Sequence, residues 1–389
     1  MMLKATDRRA HLRLIRRFTG LACGGAIALA VALGAPGAAA ATSCPLSEMT
    51  SASQPACWVP FSATSPFNTP IPANAALAPD NSAVLAHMST YDWSIDGTNS
   101  VFDFNPDALG TRPVFYATSS DPVMTVHCTN AAGVGSCTGA NGVNTDGVKI
   151  NVPAGAVPFA NQDSHMTVIE TATGKEYDFW DASVSGSTID AGVGAELSVH
   201  GDGRGGQGDD GQFALAAGLV RPSELASGQI DHALVVTVPC VNATGPSGYV
   251  WPAEQGIATV CGKLWSESPV GAPKLGQLLR LNMTAAQIRA SPAPAWEKTI
   301  MTAFSTYGAY IEDTDGDQAA GIDILTQGGA SWTDLGQRNQ WLRVTRRFGS
   351  SDGDLVSSVP IPVSHLRVVQ PCDPEGSCSS ATPVTSATQ

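Results

Sequence analysis

Charge is scarce in this chain, and positive charge is scarcer still. Only 14% of the 389 residues are charged, and 21 basic side chains face 34 acidic ones, for a formal net charge of −13. An acidic surface disfavours nucleic acid and anionic lipid, so neither is expected as a partner. Lysine is sparse and the arginines beyond the N-terminal segment are dispersed, which weighs against a strongly anionic polymer as substrate. No His-Glu-x-x-His occurs, so no zincin helix is present. A serine with distant His and Asp partners stays open, because such partners need not be neighbours in sequence. There is no Cys-x-x-Cys and the histidines are scattered, which argues against zinc. Past the N-terminal segment no run is apolar enough to cross a membrane. No internal repeat is evident.

The N-terminal segment has a clear order. Basic residues Lys4, Arg8, Arg9, Arg13, Arg16 and Arg17 come first, then an apolar run from Leu21 to Leu33, then small residues up to Thr42. That order predicts a secretory signal peptide over 1–41. The two Arg-Arg pairs permit the twin-arginine route as well as the general one. The rival reading is a retained anchor, but the apolar core is short and ends in Ala and Gly. The remaining chain, of about 350 residues, is long enough for one large β domain. It is expected to be extracellular and monomeric, with no membrane contact after cleavage.

Cysteine supports export. Of nine cysteines, eight lie beyond the leader as near neighbours: Cys44 and Cys57, Cys128 and Cys137, Cys240 and Cys261, Cys372 and Cys378. An even set in an exported chain reads as disulfides. Local pairing is one of about 105 connectivities.

Glycine and proline are abundant, at 40 and 26. Short β-like runs such as Val148–Val152, Val235–Val238 and Val363–Val369 are bounded by turn residues. The pattern predicts a mainly β fold: a β-sandwich or jelly-roll-like single domain over 42–370, with a few short helices and long loops. Helices are expected at Asn81–Met88, at Pro222–Gly228, and most clearly at Ala295–Tyr307, where Trp296, Ile300, Phe304 and Tyr307 share one face. Gly201–Gly211 has no phosphate-loop spacing and reads as a mobile surface loop. Residues 371–389 read as a disordered Ser/Thr-rich tail.

One hairpin invites a chemical reading. Ala172-Thr173-Gly174 fits a three-residue loop, which sets Ile169 opposite Tyr177, Thr167 opposite Phe179, and His165 opposite Asp181. His165 and Asp181 then form a cross-strand pair, with Asp178 and Trp180 on the other face beside Met166 and Val168. A slip of one residue would change every pairing. His232 shares an apolar face with Leu234, Val236 and Val238, so it reads as a core histidine, with Asp231 pointing the other way. Tyr249 and Trp251 share a face and could stack on a sugar or belong to the core. Asp313, Asp315 and Asp317 alternate as at the start of a calcium loop, the one cofactor the sequence suggests. Gln318 and Ile324 stand where that loop needs Gly and Glu.

His165-Met-x-Val168, Tyr177-x-Phe-Trp180, Ala217-Gly-Leu-Val-Arg-Pro222, Asp231-His-Ala-Leu234, Val250-Trp-Pro-Ala253 and Tyr307-Gly-x-Tyr310 follow one another in this order. The series resembles a broad family of secreted, mostly actinobacterial β-rich proteins. The resemblance covers about residues 65–330. It implies export and a single folded unit, and brings no activity with it. Gly201–Gly211 and Asp313–Asp317 depart from it.

Export, a β scaffold and carboxylates near aromatics together suggest an enzyme acting on an extracellular polysaccharide. Glycoside hydrolysis needs two carboxyl groups across the scissile bond. Asp181 and Asp231 are the expected acid and base or nucleophile, with His165 tuning Asp181 and Asp178 as a further candidate; Glu170 is also strand-borne. Trp180, Trp251 and Tyr249 would hold the sugar. Two alternatives stay open. One is a polysaccharide lyase with His165 or His232 as base and Tyr307 or Tyr310 as acid. The other is a non-catalytic carbohydrate-binding surface protein.

Overall fold

The computed structural model describes residues 44–50, 53–91, 102–104, 111–129, 136–160, 163–242, 248–254, 260–261, 270–314, 322–328, 357–359, 361 and 363–370. The architecture is β-rich, with several mixed sheets and few short helices. The segments expected as leader and tail, and Cys372–Cys378, lie outside the described residues.

Three sheets carry most of the strands. The largest runs in the order β17 (Ser357–Val359), β1 (Phe102–Phe104), β15 (Ile322–Ile324), β10 (Leu234–Val238), β14 (Ala309–Thr314), β13 (Leu278–Leu281), β18 (Leu366–Val369). A second runs β16 (Thr326–Gly328), β2 (Thr111–Ala117), β5 (Met166–Glu170), β6 (Lys175–Trp180), β9 (Val193–Ser198). A third runs β4 (Lys149–Asn151), β3 (Val123–Cys128), β8 (Thr188–Ala191), β7 (Ser183–Ser185). A short ribbon pairs β11 (Cys240–Val241) with β12 (Val260–Cys261). The Val363–Val369 run begins as a 3-10 turn and becomes a strand only at Leu366.

The second sheet is covered on both faces. Met166, Val168, Tyr177 and Phe179 join Val126, Ile150 and Ile189 of the third sheet in one apolar cluster. Val114, Tyr116 and Ile169 belong instead to the main core, with the largest sheet. Strands buried on both sides do not alternate cleanly in polarity. This explains why β5 and β6 bury polar residues as well as apolar ones.

The expected helices form: α1 (Asn81–Met88), α2 (Pro222–Ser227) and α4 (Ala295–Thr306). α4 buries Trp296, Ile300 and Phe304 as their spacing predicts. Gly308 ends it at φ 85, and a Cβ there would lie 2.7 Å from Leu279 O. A further helix, α3 (Ala285–Ala290), starts with a Thr284–Gln287 capping box. Cys44–Cys57, Cys128–Cys137 and Cys240–Cys261 are bonded, as local pairing requires. Among the described residues, no helix is long and apolar enough to cross a membrane.

Candidate functional site

The hairpin exists, but its register differs from the sequence expectation by one residue. Four residues, Thr171 to Gly174, lie between the paired Glu170 and Lys175. The amides of Thr173 and Gly174 both donate to Glu170 O, at 3.2 and 2.9 Å. Ile169 therefore faces Glu176, Thr167 faces Asp178, and Met166 faces Phe179. This corrects the expected faces: Asp178 lies with Thr167, not with Met166 and Val168.

His165 and Asp181 do not pair. Asp181 is exposed, sits at φ 49, and donates its backbone N–H to Asp163 O at 2.8 Å. His165 is buried, and its Nε2–H donates to Gly208 O at 2.7 Å. Burial, with Arg112 nearby, holds the ring well below its ordinary value, against the Gly208 bond. It is a neutral imidazole whose Nδ1 has no partner.

The true register puts a polar row on the inner face of the second sheet. β2 pairs with β5 so that Val114 meets Thr167 and Tyr116 meets Ile169. Arg112, two residues before Val114, thus shares the face with Thr167, Glu176 and Asp178. Asp178 accepts from Thr167 Oγ1 and Leu215 N, both at 2.9 Å. Burial pushes its carboxyl up to about 6, against these bonds. Glu176 accepts from Ala216 N at 3.0 Å, and burial together with Asp178 holds it well above the ordinary range. Glu176 is accordingly the protonated member of the pair.

A second pair of carboxyls lies nearby. Strand β10 pairs in parallel with β14, Val236 with Ile311 and then Thr237 with Asp313. Glu312 is the extra residue of this bulge, a device that re-aims side chains. Glu312 is buried, and burial pushes it up to about 8, with Arg112 opposing and Asp313 and Asp178 reinforcing. Its Oε2 has no partner. Asp313 is hydrogen-bonded to Asp210, and burial plus Asp210 hold it well above the ordinary range. Asp210 is raised too, mainly by burial, with Asp163 adding to it. Both Asp210 and Asp313 are half-buried, whereas Glu176 and Asp178 are fully enclosed. Arg112, 4% exposed, is the cation felt by His165, Asp178, Glu312 and Asp313. Its Nε has no partner.

Asp210 comes from the glycine-rich segment expected to be a mobile surface loop. That expectation is overturned, because the glycines are sites of close backbone approach. A Cβ on Gly211 would stand 2.8 Å from Glu312 O, and one on Gly206 would stand 1.9 Å from Phe213 O. The segment is pinned against β14 and carries Gly208 O to His165.

The aromatic expectations converge on the same region in part. Arg204 lies 5.9 Å from the Trp251 ring and bridges Asp202 and Glu254 at 2.9 and 3.0 Å. The Glu254 amide donates to Gly211 O, next to Asp210. Tyr249 is 37% exposed and Trp251 half-buried, with a cis bond to Pro252. Trp180 is half-buried at the end of β6.

Asp231 stays apart from this region. It is half-buried, accepts from Gln229 Nε2 at 2.6 Å, and precedes the end of β10 opposite to Thr237 and Asp313. The expected Asp181–Asp231 pairing is thus replaced by carboxyls on β6, β14 and the glycine-rich segment. Asp313 belongs to β14 and lies beside Asp210; Asp315 and Asp317, the rest of the suggested calcium loop, lie outside the described residues. Among the described residues, no three His, Cys, Asp or Glu side chains are grouped to hold a metal. Arg112, Glu176, Asp210 and Glu312 escaped the sequence reading. The one local signal was the alternation of Glu176 with Asp178.

No known protein family, curated protein or solved structure matches this chain.

Proposed function

We propose that the protein is a secreted hydrolase of an extracellular polysaccharide, working in acid through Asp210 and Asp313. The observation that carries this reading is the closeness of these two half-buried carboxyls, which come from separate segments and influence each other's ionisation. Two carboxyls in such contact do not both ionise readily, so one proton is retained between them. Asp313, held higher by burial, supplies the proton to a leaving oxygen, and ionised Asp210 accepts one from water. Arg112 limits how far the cluster resists ionisation. Tyr249 and Trp251, joined to this region through Arg204 and Glu254, offer apolar faces on which a sugar ring stacks. The three disulfides suit the oxidising exterior.

A second reading, acid hydrolysis of peptide bonds, draws on the same observation. Retaining glycosidases set their carboxyls about 5 Å apart. A pair in direct contact is closer than that, and is the arrangement that acid peptidases use.

The test is the purified mature protein at pH 4.5 and 7.5 on a panel of neutral and acidic polysaccharides and on acid-denatured protein. Reducing ends, unsaturated sugar ends and released peptides would be recorded in parallel. Reducing ends without unsaturation, lost by about 100-fold or more in Asp313→Asn and unchanged in Asp181→Asn and Asp231→Asn, are the expected result. Peptide release alone would favour the second reading. Unsaturated ends, or silence from folded protein on every substrate, would overturn hydrolysis.

A further inference from the structure

A second buried polar constellation lies beyond Ala216, against the same inner face of the second sheet, beside Val114 and Tyr116. Arg221, Glu224 and His232 are 3%, 0% and 2% exposed. Arg221 Nη2–H donates to Glu224 Oε1 at 2.6 Å and to Trp58 O. The guanidinium lies 5.5 Å from the Trp58 ring. Glu224 Oε2 accepts the Arg221 backbone N–H at 2.8 Å.

His232 decides the charge balance. Its Nε2 lies 2.9 Å from Glu224 Oε1 and its Nδ1 lies 2.8 Å from Ala233 O. A carboxylate oxygen and a carbonyl oxygen are both acceptors, so the geometry suits a ring donating from both nitrogens, which is the cationic form. Burial alone would raise the Glu224 carboxyl, but Arg221 and His232 outweigh it and bring it down to about 2. Two cations thus share one anion in an enclosed place, leaving one positive charge without a counterpart. Glu176, which also lies near Tyr116, is the protonated member of its own pair and does not supply that counterpart.

A cavity adjoins the uncompensated charge. Its volume is about 10 Å³, and Arg221, His232, Tyr116, Gln327 and Trp58 line it. That is on the order of the room one water-sized occupant needs. Arg221 Nη1 is buried there with no hydrogen-bond partner. The Tyr116 hydroxyl beside it is directed to Gln327 Oε1 at 3.3 Å. An enclosed excess of positive charge is costly unless it is paired.

We infer that this cavity is a halide site, in which a chloride ion bound against Arg221 and His232 completes the charge balance of the Arg221–Glu224–His232 triad. A neutral water would satisfy the donors but leave the charge. The inference does not depend on the hydrolase reading, since the carboxyl cluster takes no part in it.

The experiment measures urea unfolding midpoints of the full mature chain in sodium chloride, sodium bromide and sodium gluconate at equal ionic strength. Crystals grown in bromide would be examined for anomalous scattering. The expected result is a midpoint that rises with halide and saturates. At one hundred times the dissociation constant, the folded-to-unfolded ratio rises about 100-fold over gluconate. A bromide peak within hydrogen-bonding reach of Arg221 Nη1 is expected with it. Tyr116→Phe removes the cavity's hydroxyl while keeping its ring, and should weaken the halide dependence even if Arg221→Lys does not fold. Equal midpoints in all three salts, or a water with no anomalous signal in the cavity, would overturn the inference.

Discussion

Replacing Glu312 by glutamine should make the protein more stable in alkali and change little in acid. Glu312 is buried on the β14 bulge, its Oε2 lacks a partner, and burial raises it from an ordinary 4.5 to about 8. The folded state therefore holds a proton that the unfolded state releases between those values. Stability from this group is complete below pH 4.5 and is lost as pH rises toward 8. At about 1.4 kcal/mol per pH unit, the interval from 4.5 to about 8 corresponds to about 5 kcal/mol. That is comparable to the whole stability of many domains. Glutamine is near in shape and stays neutral, so the variant avoids the loss. Urea unfolding of both proteins at pH 4.5, 6, 8 and 9 reads the difference. The two curves should nearly coincide at pH 4.5 and separate steadily in the variant's favour. The comparison cancels the other raised carboxyls, which act equally in both chains to first order. Parallel curves across the whole range would refute the reasoning, for then Glu312 would ionise in the folded protein as it does in water.

Two further predictions concern the frame of the site. Gly211→Ala places a Cβ 2.8 Å from Glu312 O and should cost about 1–3 kcal/mol, with hydrolytic activity falling further than stability because Asp210 moves; urea midpoints and turnover, measured together, check both parts. Replacing Cys44 and Cys57 by serine opens a loop with a sequence separation of 13 and should cost about 3 kcal/mol, leaving activity below the new melting point unchanged; an unaltered midpoint would show that the bridge adds nothing.

The sequence was most legible where one periodicity acted alone. Trp296, Ile300 and Phe304 recur at helical spacing because α4 buries a single stripe, and the pattern survives translation into structure. Cysteines close in sequence paired locally for want of distance to cover. The hairpin was legible as a hairpin but not in register. A three-residue and a four-residue loop can both end on a left-handed Gly174, and the choice turns on Thr171, which suits either. That single step decides whether Asp178 meets Thr167 or lies among Met166 and Val168. Because β5 and β6 are buried on both faces, hydrophobic alternation could not correct the error. Glu312 was hidden, and Asp313 was given another role, for a related reason: the acidic stretch before Gly316 reads as the start of a calcium loop, and a bulge leaves no mark in composition. In the segment 201–211, glycine content suggested mobility, whereas Gly206 and Gly211 are small because backbone passes against them. Composition reports that side chains are missing, not whether the space is empty or occupied.

The two buried constellations pull the pH dependence of stability in opposite directions, and their balance fixes where the protein is most at home. Around the site, Glu176, Asp178, Asp210, Glu312 and Asp313 are all raised by burial. Each withdraws stability as pH climbs above its ordinary value near 4. In the core, Glu224 is lowered from 4.5 to about 2, so its contribution is present above 4.5 and fades as pH falls toward 2. His165, lowered by burial, likewise favours the higher side up to its ordinary 6.5. Below the ordinary carboxyl values Glu224, His165 and His87 act, and stability rises with pH. Above them, these five carboxyls and Glu297, raised by burial to about 7, act against His165 and His87, and stability falls. The maximum therefore lies at about pH 4 to 5, where the Asp210–Asp313 pair also retains its shared proton. A fold that hides this many acids around one arginine is stabilised by the same acidity in which a carboxyl pair can both give and take a proton. The urea series on the unaltered chain reads the position of that maximum directly, and a maximum near neutrality would separate the stability of the fold from the chemistry proposed for the site.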